Sequence, residues 1–457
     1  MTDMKTSPDQ VAQIQRFLND HPSVREVMVC VPDGATHLRG KTLNVSEFLR
    51  GVSAGFAMPD FFLVTDVGNE IMPGDPTSSL DTGFANAELH PRLETLHVLP
   101  WDPQRAIVIG SPTDPSGTAI QVASETILNS AIHRLSDLGL EAQVATELEF
   151  YLFNESYGTA AANNYRSLNP FYHRHGDHDI LVYEQYRDYL GELSAAMEGF
   201  GYPASTAHGE GGIGQVEMTF LHGSPLQVAD THTYFKYAAK AIGLRLGVAP
   251  TFMAKVYPAQ AGSSCHIHCS LWTPDGKSIF SGEAGDGMSS TARSFVAGLL
   301  RFAPDLALLY APYANSYSRL KDGSWAPTRL TWGIDNRTVL ARVLANGDAR
   351  RVEFRLAGAD ANPYHALAAL LHAGAEGVEQ RLELHDPLTG NGYAGKLGPT
   401  LPTTIVSALS KFSASDFARN ALGAEVFDHL QSRANREVEL KLDSISDWDL
   451  NRLFENA

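Results

Sequence analysis

Acidic, imidazole and guanidinium side chains recur at every second position in several short stretches of this chain. Glu147 and Glu149 stand two apart in Ala145–Leu152, and Gln215, Glu217 and Thr219 do so in Gln215–Phe220. His266 and His268 alternate with cysteines in Cys265-His266-Ile267-His268-Cys269, while Arg351, Glu353 and Arg355 alternate with Val352 and Phe354. Arg342 adds a further guanidinium in Leu340–Val343. Carboxylates gathered in one place repel one another unless cations neutralise them. Glu oxygens with one His nitrogen suit Mg2+ or Mn2+ better than zinc. Arginine grips phosphates and carboxylates with a planar fork. Divalent cations beside an arginine cluster are the layout of phosphoryl transfer from a nucleotide.

Strict alternation is the signature of a β-strand, whose side chains point to opposite faces in turn. Ser264, His266, His268 and Ser270 then share one face, and Cys265, Ile267, Cys269 and Leu271 share the other. The cysteines point into an apolar layer as small buried hydrophobes. A zinc site made of both residue types would need both faces of the strand at once. A solvated face would carry Thr, Lys and mixed polar residues, whereas these faces carry mostly Glu, His and Arg and no Lys, so one shared site is expected. Gly209-Glu210-Gly211-Gly212-Ile213-Gly214 fits G-x-G-x-x-G, but it runs into the alternating Gln215–Phe220 strand rather than opening a helix. A tight turn carrying Glu210 is the expectation. No Walker A motif is present, so a nucleotide must be held in another way.

The 457 residues suffice for two or three domains. A composition of 44% hydrophobic and 19% charged residues is that of a globular chain with a sizeable core. A net charge of −17 lacks the basic footprint of nucleic-acid binding and fits a soluble cytoplasmic enzyme. Three cysteines make no disulfide framework. Residues 1–20 hold Asp3, Asp9 and Asp20 without an apolar centre, so no signal peptide is expected, and no apolar run is long enough for a membrane span. Ser7 as N-cap, Pro8 and Gln10 predict a helix over 8–19. A strand is predicted at Val24–Val31, followed by short strands and Pro/Gly turns to about residue 115. Ser111–Gly117 is a run of turn formers and the best domain boundary. Ala123–Leu138 reads as a helix ended by Gly139, and strands then alternate with helices to about residue 380. Tyr157–Asp179 reads as a long polar binding loop. Ser413–His429 and Ser446–Asn456 read as helices of the tail.

Taken together and in this order, these motifs resemble glutamine synthetase, of the bacterial type I-like branch, over nearly the whole chain. Glu147-Leu148-Glu149-Phe150 is similar to the family's E-x-E-F strand. Glu210 to Glu217, with Gly214-Gln215 between, is similar to its E-x-x-x-G-Q-x-E segment, and Gly262–Leu271 to its H-x-H strand. Asn315–Leu320, Asp335-Asn336-Arg337, Arg351–Arg355 and Asn362-Pro363-Tyr364 complete the set. The resemblance implies an α+β fold, with a small N-terminal β-grasp domain at 22–113 and a larger catalytic domain at 114–457 built on a curved antiparallel sheet with helices. It implies double hexameric rings, a homo-dodecamer, with sites shared between neighbours. Glu149, Glu210 and Glu217 would hold one metal, and Glu147, His266 and Glu353 a second, in a site for two or three Mg2+ or Mn2+. His268 and Ser270 would face ATP. Arg337, Arg342 and Arg351 would contact its phosphates, with Arg337, Arg342 and Glu217 closest to catalysis. Gly262, Arg319 and Arg355 would hold L-glutamate. ATP would phosphorylate its γ-carboxylate, and an amine would then displace phosphate.

Three positions depart from the family. Where its ammonium pocket has a glutamate after the substrate arginine, this chain reads Arg319-Leu320-Lys321-Asp322-Gly323-Ser324-Trp325-Ala326-Pro327. An indole neither attracts ammonium as a carboxylate does nor acts as a base. The N-terminal acidic D-G-S-S wall has no counterpart; Pro76–Phe84 is the nearest stretch, and its acids do not align. Ala261 replaces an Asn beside the glutamate site. The metal and phosphate machinery is kept and the ammonia site is lost. A γ-glutamylamine ligase follows, its acceptor a primary amine such as ethanolamine or a polyamine, packed against Trp325. The lack of added acids near Trp325 favours a short amine or amino alcohol. The alternatives are a glutamine synthetase with a rearranged ammonium site and a weakly catalytic regulatory homologue; the full ligand set speaks against the latter. Tyr393, in Gly392-Tyr393-Ala394-Gly395, does not resemble the family's adenylylation motif, and no such control is expected.

Overall fold

A computed structural model describes residues 8–75, 77–282, 286–344, 347–394 and 398–456. Ser7, Pro76 and Gly395 lie outside the described residues. The strands in chain order are β1 (Glu26–Pro32), β2 (Leu38–Asn44), β3 (Phe56–Pro59), β4 (Asn86–Pro91), β5 (His97–Leu99), β6 (Asp102–Thr113), β7 (Glu141–Phe153), β8 (Ala204–Gly209), β9 (Gln215–Phe220), β10 (Ala249–Thr251), β11 (Cys265–Trp272), β12 (Trp332–Ile334), β13 (Ala341–Leu344) and β14 (Arg351–Phe354).

The first sheet has the order β2-β1-β6-β4-β3, with β5 on β6. The β1–β6 pair is parallel and the other pairs are antiparallel. Alternation on β1 divides two cores. Val27, Val29 and Val31 meet Ile14 of helix Pro8–Asp20 and Phe48 of helix Val45–Gly51 in a core of their own. Cys30 points the other way, into the main core. Helix Val45–Gly51 was not expected among short strands; Asn44 caps it by accepting the Glu47 N–H at 2.9 Å.

The second sheet carries the chemistry. Its order is β12-β13-β14-β11-β7-β9-β8, with β10 on β7. All its pairs are antiparallel except β12–β13. One face supplies Leu148, Val216, Cys265, Ile267, Cys269 and Phe354 to the main core, together with residues of helices Ser124–Asp137, Pro225–Leu246 and Pro363–Glu379. The other face is polar, so β7, β9 and β11 are two-faced strands as their alternation predicts. All three cysteines are buried and free. Among the described residues, no helix is long and apolar enough to cross a membrane.

The loop at 157–179 opens with a short helix, Tyr157–Ala162. The Ser413–His429 expectation is corrected. The chain forms three helices there, Ile405–Ser413, Asp416–Leu422 and Ala424–Asp443. The first break falls at Ser415, whose Oγ accepts the Ala418 N–H at 3.1 Å as an N-cap. The second falls at Gly423, whose φ of +78° leaves the helical region. Ser446 caps the last helix, Asp447–Leu453.

Where β4 leads out of the first sheet, Arg92 forks onto Asp230 at 2.8 and 2.6 Å, and Tyr364 donates to the same carboxylate at 2.6 Å. This buried network joins the first sheet to helices Pro225–Leu246 and Pro363–Glu379. The second of those helices buries His365 and His372, each pushed down to about 3 by burial first, with nearby Arg433 and Arg134 adding to it. Their folded values lie below the unfolded one. Their contribution to stability is therefore complete above pH 6.5 and is lost as pH falls, because the unfolded chain then binds protons the folded chain does not. Each is expected to cost on the order of 2 kcal/mol at pH 5 relative to neutrality. The urea midpoint should fall between pH 7.5 and pH 5, and His372→Leu should flatten that fall; an unchanged slope in the variant would show that His372 titrates normally.

Candidate active site

Strand register assembles the polar face row by row. Glu149 on β7 stands opposite Glu217 on β9, and Glu217 stands opposite His208 on β8. In the next row Glu147 pairs with His266 on β11. In the third, His268 pairs with Glu353 on β14, and Glu353 with Arg342 on β13. Residues far apart in sequence thus become cross-strand neighbours with side chains on one face.

Three groups of donors result, each with ligand atoms within 4.8 Å of one another: Glu147, His266 and Glu353; Glu149, Glu217 and His266; and His208, Glu210 and Glu217. The second expected set, Glu147/His266/Glu353, is brought together as it stands. The first is rearranged: Glu210 sits with Glu217 and His208, and Glu149 with Glu217 and His266. The expected turn delivers Glu210, since residues 210–214 link β8 to β9 and no helix follows. Burial, then the charges of Glu149 and Glu217, push Glu210 up to about 8. Burial, with Glu147 and Glu149, also raises Glu217, against the pull of His208. Such a concentration of carboxylate fits a divalent cation, and oxygen donors with one imidazole per group fit a hard one.

The other carboxylates are held by named partners. Glu149 accepts from the Ser264 N–H at 2.9 Å, from the Ser264 hydroxyl and from Gln215 Nε2 at 3.1 Å. Gln215 also donates to the Gly262 carbonyl at 3.1 Å, and its oxygen accepts the Gly212 N–H at 2.9 Å. Burial opposes ionisation of Glu147, but His266 Nδ1 at 3.2 Å and His268 Nε2 at 2.7 Å outweigh it, and its carboxyl lies far below the usual range. His268 Nδ1 accepts from Arg351 Nε at 3.1 Å. Glu353 is 1% exposed. It accepts from Arg342 Nη1 at 2.7 Å and from Arg355, which with His266 hold it ionised against burial.

The remaining expected residues surround this centre. The Ser270 hydroxyl accepts from Trp272 Nε1 at 2.9 Å. Arg342 also reaches Asp335 at 2.5 Å, so Asp335 and Glu353 together aim its fork. Arg337 is exposed and shares an outer groove of about 590 Å3 with Trp325, Ile334, Asn336 and Leu388. Arg319 is 2% exposed, and Arg355 is buried too; the Nε of each is buried without a partner. Those two orphaned donors suit an anionic substrate group. Gly262 makes room for Arg319, because a Cβ there would lie 2.4 Å from Arg319 Cγ. The Ala261 carbonyl accepts from the Tyr151 hydroxyl at 2.7 Å. Trp325 adopts φ +64°, its carbonyl accepts from Arg355 Nη2 at 3.3 Å, and the residue is 64% exposed. Tyr393 bonds the next carbonyl, that of Ala326, at 3.2 Å.

Sequence reasoning missed His208 and gave no role to Asp335. β8 reads Ala-Ser-Thr-Ala-His-Gly, with no apolar alternation to announce a strand, and its place follows only from its pairing with β9. Asp335 was visible as part of a motif, but its left-handed φ of +46° was not.

The catalytic-domain profile of glutamine synthetase matches residues 123–453. The chain is 37% identical over 430 residues to the gamma-glutamylethanolamide synthetase GlnA4 of Streptomyces coelicolor, covering 94% of this chain and 92% of that one. It is 30% identical over 453 residues to a glutamate–isopropylamine ligase of a Pseudomonas species, covering 98% of each. A solved GmaS/ADP complex has the same fold, with a TM-score of 0.84 at 24% identity over 96% of this chain and 98% of its own. The metal-ready sheet face and these similarities along almost the full length lead to one assignment: the chain belongs to the glutamine synthetase family and is a carbon–nitrogen ligase.

Proposed function

We propose that this chain is an ATP-dependent ligase joining the γ-carboxylate of L-glutamate to a primary amine larger than ammonia, through a γ-glutamyl phosphate intermediate. The observation that carries the choice of acceptor is Trp325, standing where an ammonium-using site needs a carboxylate. The two amine-ligase relatives, matched over more than nine-tenths of this chain, support it. Their names point to a small acceptor of the ethanolamine or isopropylamine kind.

In this reading Glu147, His266 and Glu353 hold one divalent cation, and Glu149 and Glu210, which fall in separate donor groups in the metal-free protein, close on another through Glu217, common to both groups. Bound there, such cations supply charge neutralisation at the phosphates. Arg337, Arg342 and Arg351 contact the phosphates, and Arg342 is aimed at the developing phosphoryl charge by its two carboxylate partners. His268 and Ser270 line the nucleotide side. Arg319 and Arg355 hold glutamate, with the Gly262 backbone against it. The γ-carboxylate oxygen takes the terminal phosphoryl group of ATP and ADP leaves. The amine nitrogen then attacks the acyl carbon, phosphate leaves, and the nitrogen gives up a proton. Residues 114–457 form the catalytic unit and 22–113 the N-terminal one, in a cytoplasmic dodecamer of two hexameric rings. Exposed Ile445, Trp448 and Phe454 support contacts between copies.

The test is phosphate release with ATP, Mg2+ and glutamate, comparing ammonium with a panel of amines, and product masses. Turnover with an amine and none with ammonium is expected; turnover with ammonium alone would make the protein a glutamine synthetase. Trp325→Glu should lower kcat/KM for the amine about 10–100-fold and admit some ammonium. An unchanged amine preference would remove Trp325 from the acceptor wall.

A further inference from the structure

His208 has the marks of a ligand. It faces Glu217 directly across the β8–β9 ladder. Its Nδ1 donates to the Gly209 carbonyl at 3.1 Å, which leaves Nε2 as the nitrogen turned to Glu217, where a cation would take the place of the proton that now joins the two. Histidines that bind metals ordinarily anchor the far ring nitrogen in this way, on a backbone carbonyl or a carboxylate. Nε2 lies 3.4 Å from Glu217 Oε1, Nδ1 lies 3.8 Å from Glu210 Oε1, and the three residues offer ligand atoms within 4.8 Å of one another. Two donors each about 2.1 Å from one ion stand about 3.0 Å apart at a right angle and about 3.4 Å apart at a tetrahedral one. The observed 3.4 Å is about 0.4 Å wider than the right-angle spacing of a six-coordinate cation, a gap that a small rotation of either side chain closes. The ring of His178 packs against His208, with 4.3 Å between centroids.

We propose that His208 is a metal ligand, completing with Glu210 and Glu217 a subsite for one divalent cation. This rests on the metal assignment above and adds to it a second imidazole beside His266. Nitrogen donors favour Mn2+ over Mg2+, which binds almost wholly through oxygen. His208 therefore makes this centre select Mn2+.

The test is anomalous diffraction from crystals of the wild-type protein soaked in Mn2+, with calorimetric Mn2+ and Mg2+ titrations of His208→Ala and His208→Asn. An anomalous peak within bonding distance of His208 Nε2 is expected. Mn2+ affinity should fall about 10–100-fold in His208→Ala, and Mg2+ affinity should fall less. A peak at Glu217 that leaves His208 outside bonding distance overturns the proposal and keeps the metal centre. The absence of any peak at Glu147 or Glu217 overturns both. Equal losses for the two cations overturn the selectivity.

Discussion

Glu217→Ala will abolish glutamate-dependent phosphate release from ATP, by at least about a thousandfold or roughly 4 kcal/mol of transition-state stabilisation. Glu217 is the one carboxylate shared by two of the three donor groups. Truncating it leaves Glu149 and Glu210 without their common partner. The variant will nevertheless fold. In the metal-free protein Glu217 is a buried acid among other acids, raised by burial and by Glu147 and Glu149, so its removal relieves repulsion. Thermal melts should show an unchanged or higher midpoint without metal, together with loss of the upward shift that Mn2+ gives the wild type. Retained turnover would sink the metal assignment. A variant that unfolds without metal would mean that the His208–Glu217 contact holds β8 in place and that Glu217 has a structural role.

The parts of this centre that were legible in sequence are those where one strand carries both its own periodicity and its own chemistry. β7, β9 and β11 each alternate apolar with ionisable residues, so strand, face and function can be read from a few consecutive letters. β8 and β13 depend on their neighbours. His208 lies in a polar run with no apolar face to give it a period, and only the ladder to β9 makes it part of the site. Arg351 and Arg355 stand on one face by alternation, and only the resemblance gave them different roles; in the structure β14 ends at Phe354. Arg351 goes to His268, whereas Arg355, beyond the strand end, turns to Glu353 and the Trp325 carbonyl. At Trp325 the loss of an acid was readable and the direction of the indole was not, because a left-handed backbone there sets where it points. The long helix expected at Ser413–His429 failed for a local reason: serine and glycine in a helical pattern can end two helices as well as sit inside one.

Arg319→Met should raise the KM for glutamate about 100- to 1,000-fold while leaving ATP binding intact, the cost of removing one member of a buried charge-assisted contact. Arg319 carries a guanidinium that burial disfavours, and arginine keeps its charge regardless. Glu149 and Asp360 offset it from a distance. Its Nη2 goes to the Leu356 carbonyl and its Nε to no protein atom, so part of its fork is left over. Burying a charge with an unused donor is costly for folding and makes sense where an anion completes it. The same loss at Arg355 reads differently, because Arg355 also neutralises Glu353. Arg355→Met should weaken metal binding and stability as well as glutamate binding. The pair of variants therefore separates two roles that one arginine substitution alone would confuse. In Arg319→Met, glutamate should no longer protect against thermal unfolding, whereas ATP with metal still should. If the KM for glutamate stays at the wild-type value, the orphaned donor of Arg319 serves another anion, and the substrate carboxylate is gripped elsewhere.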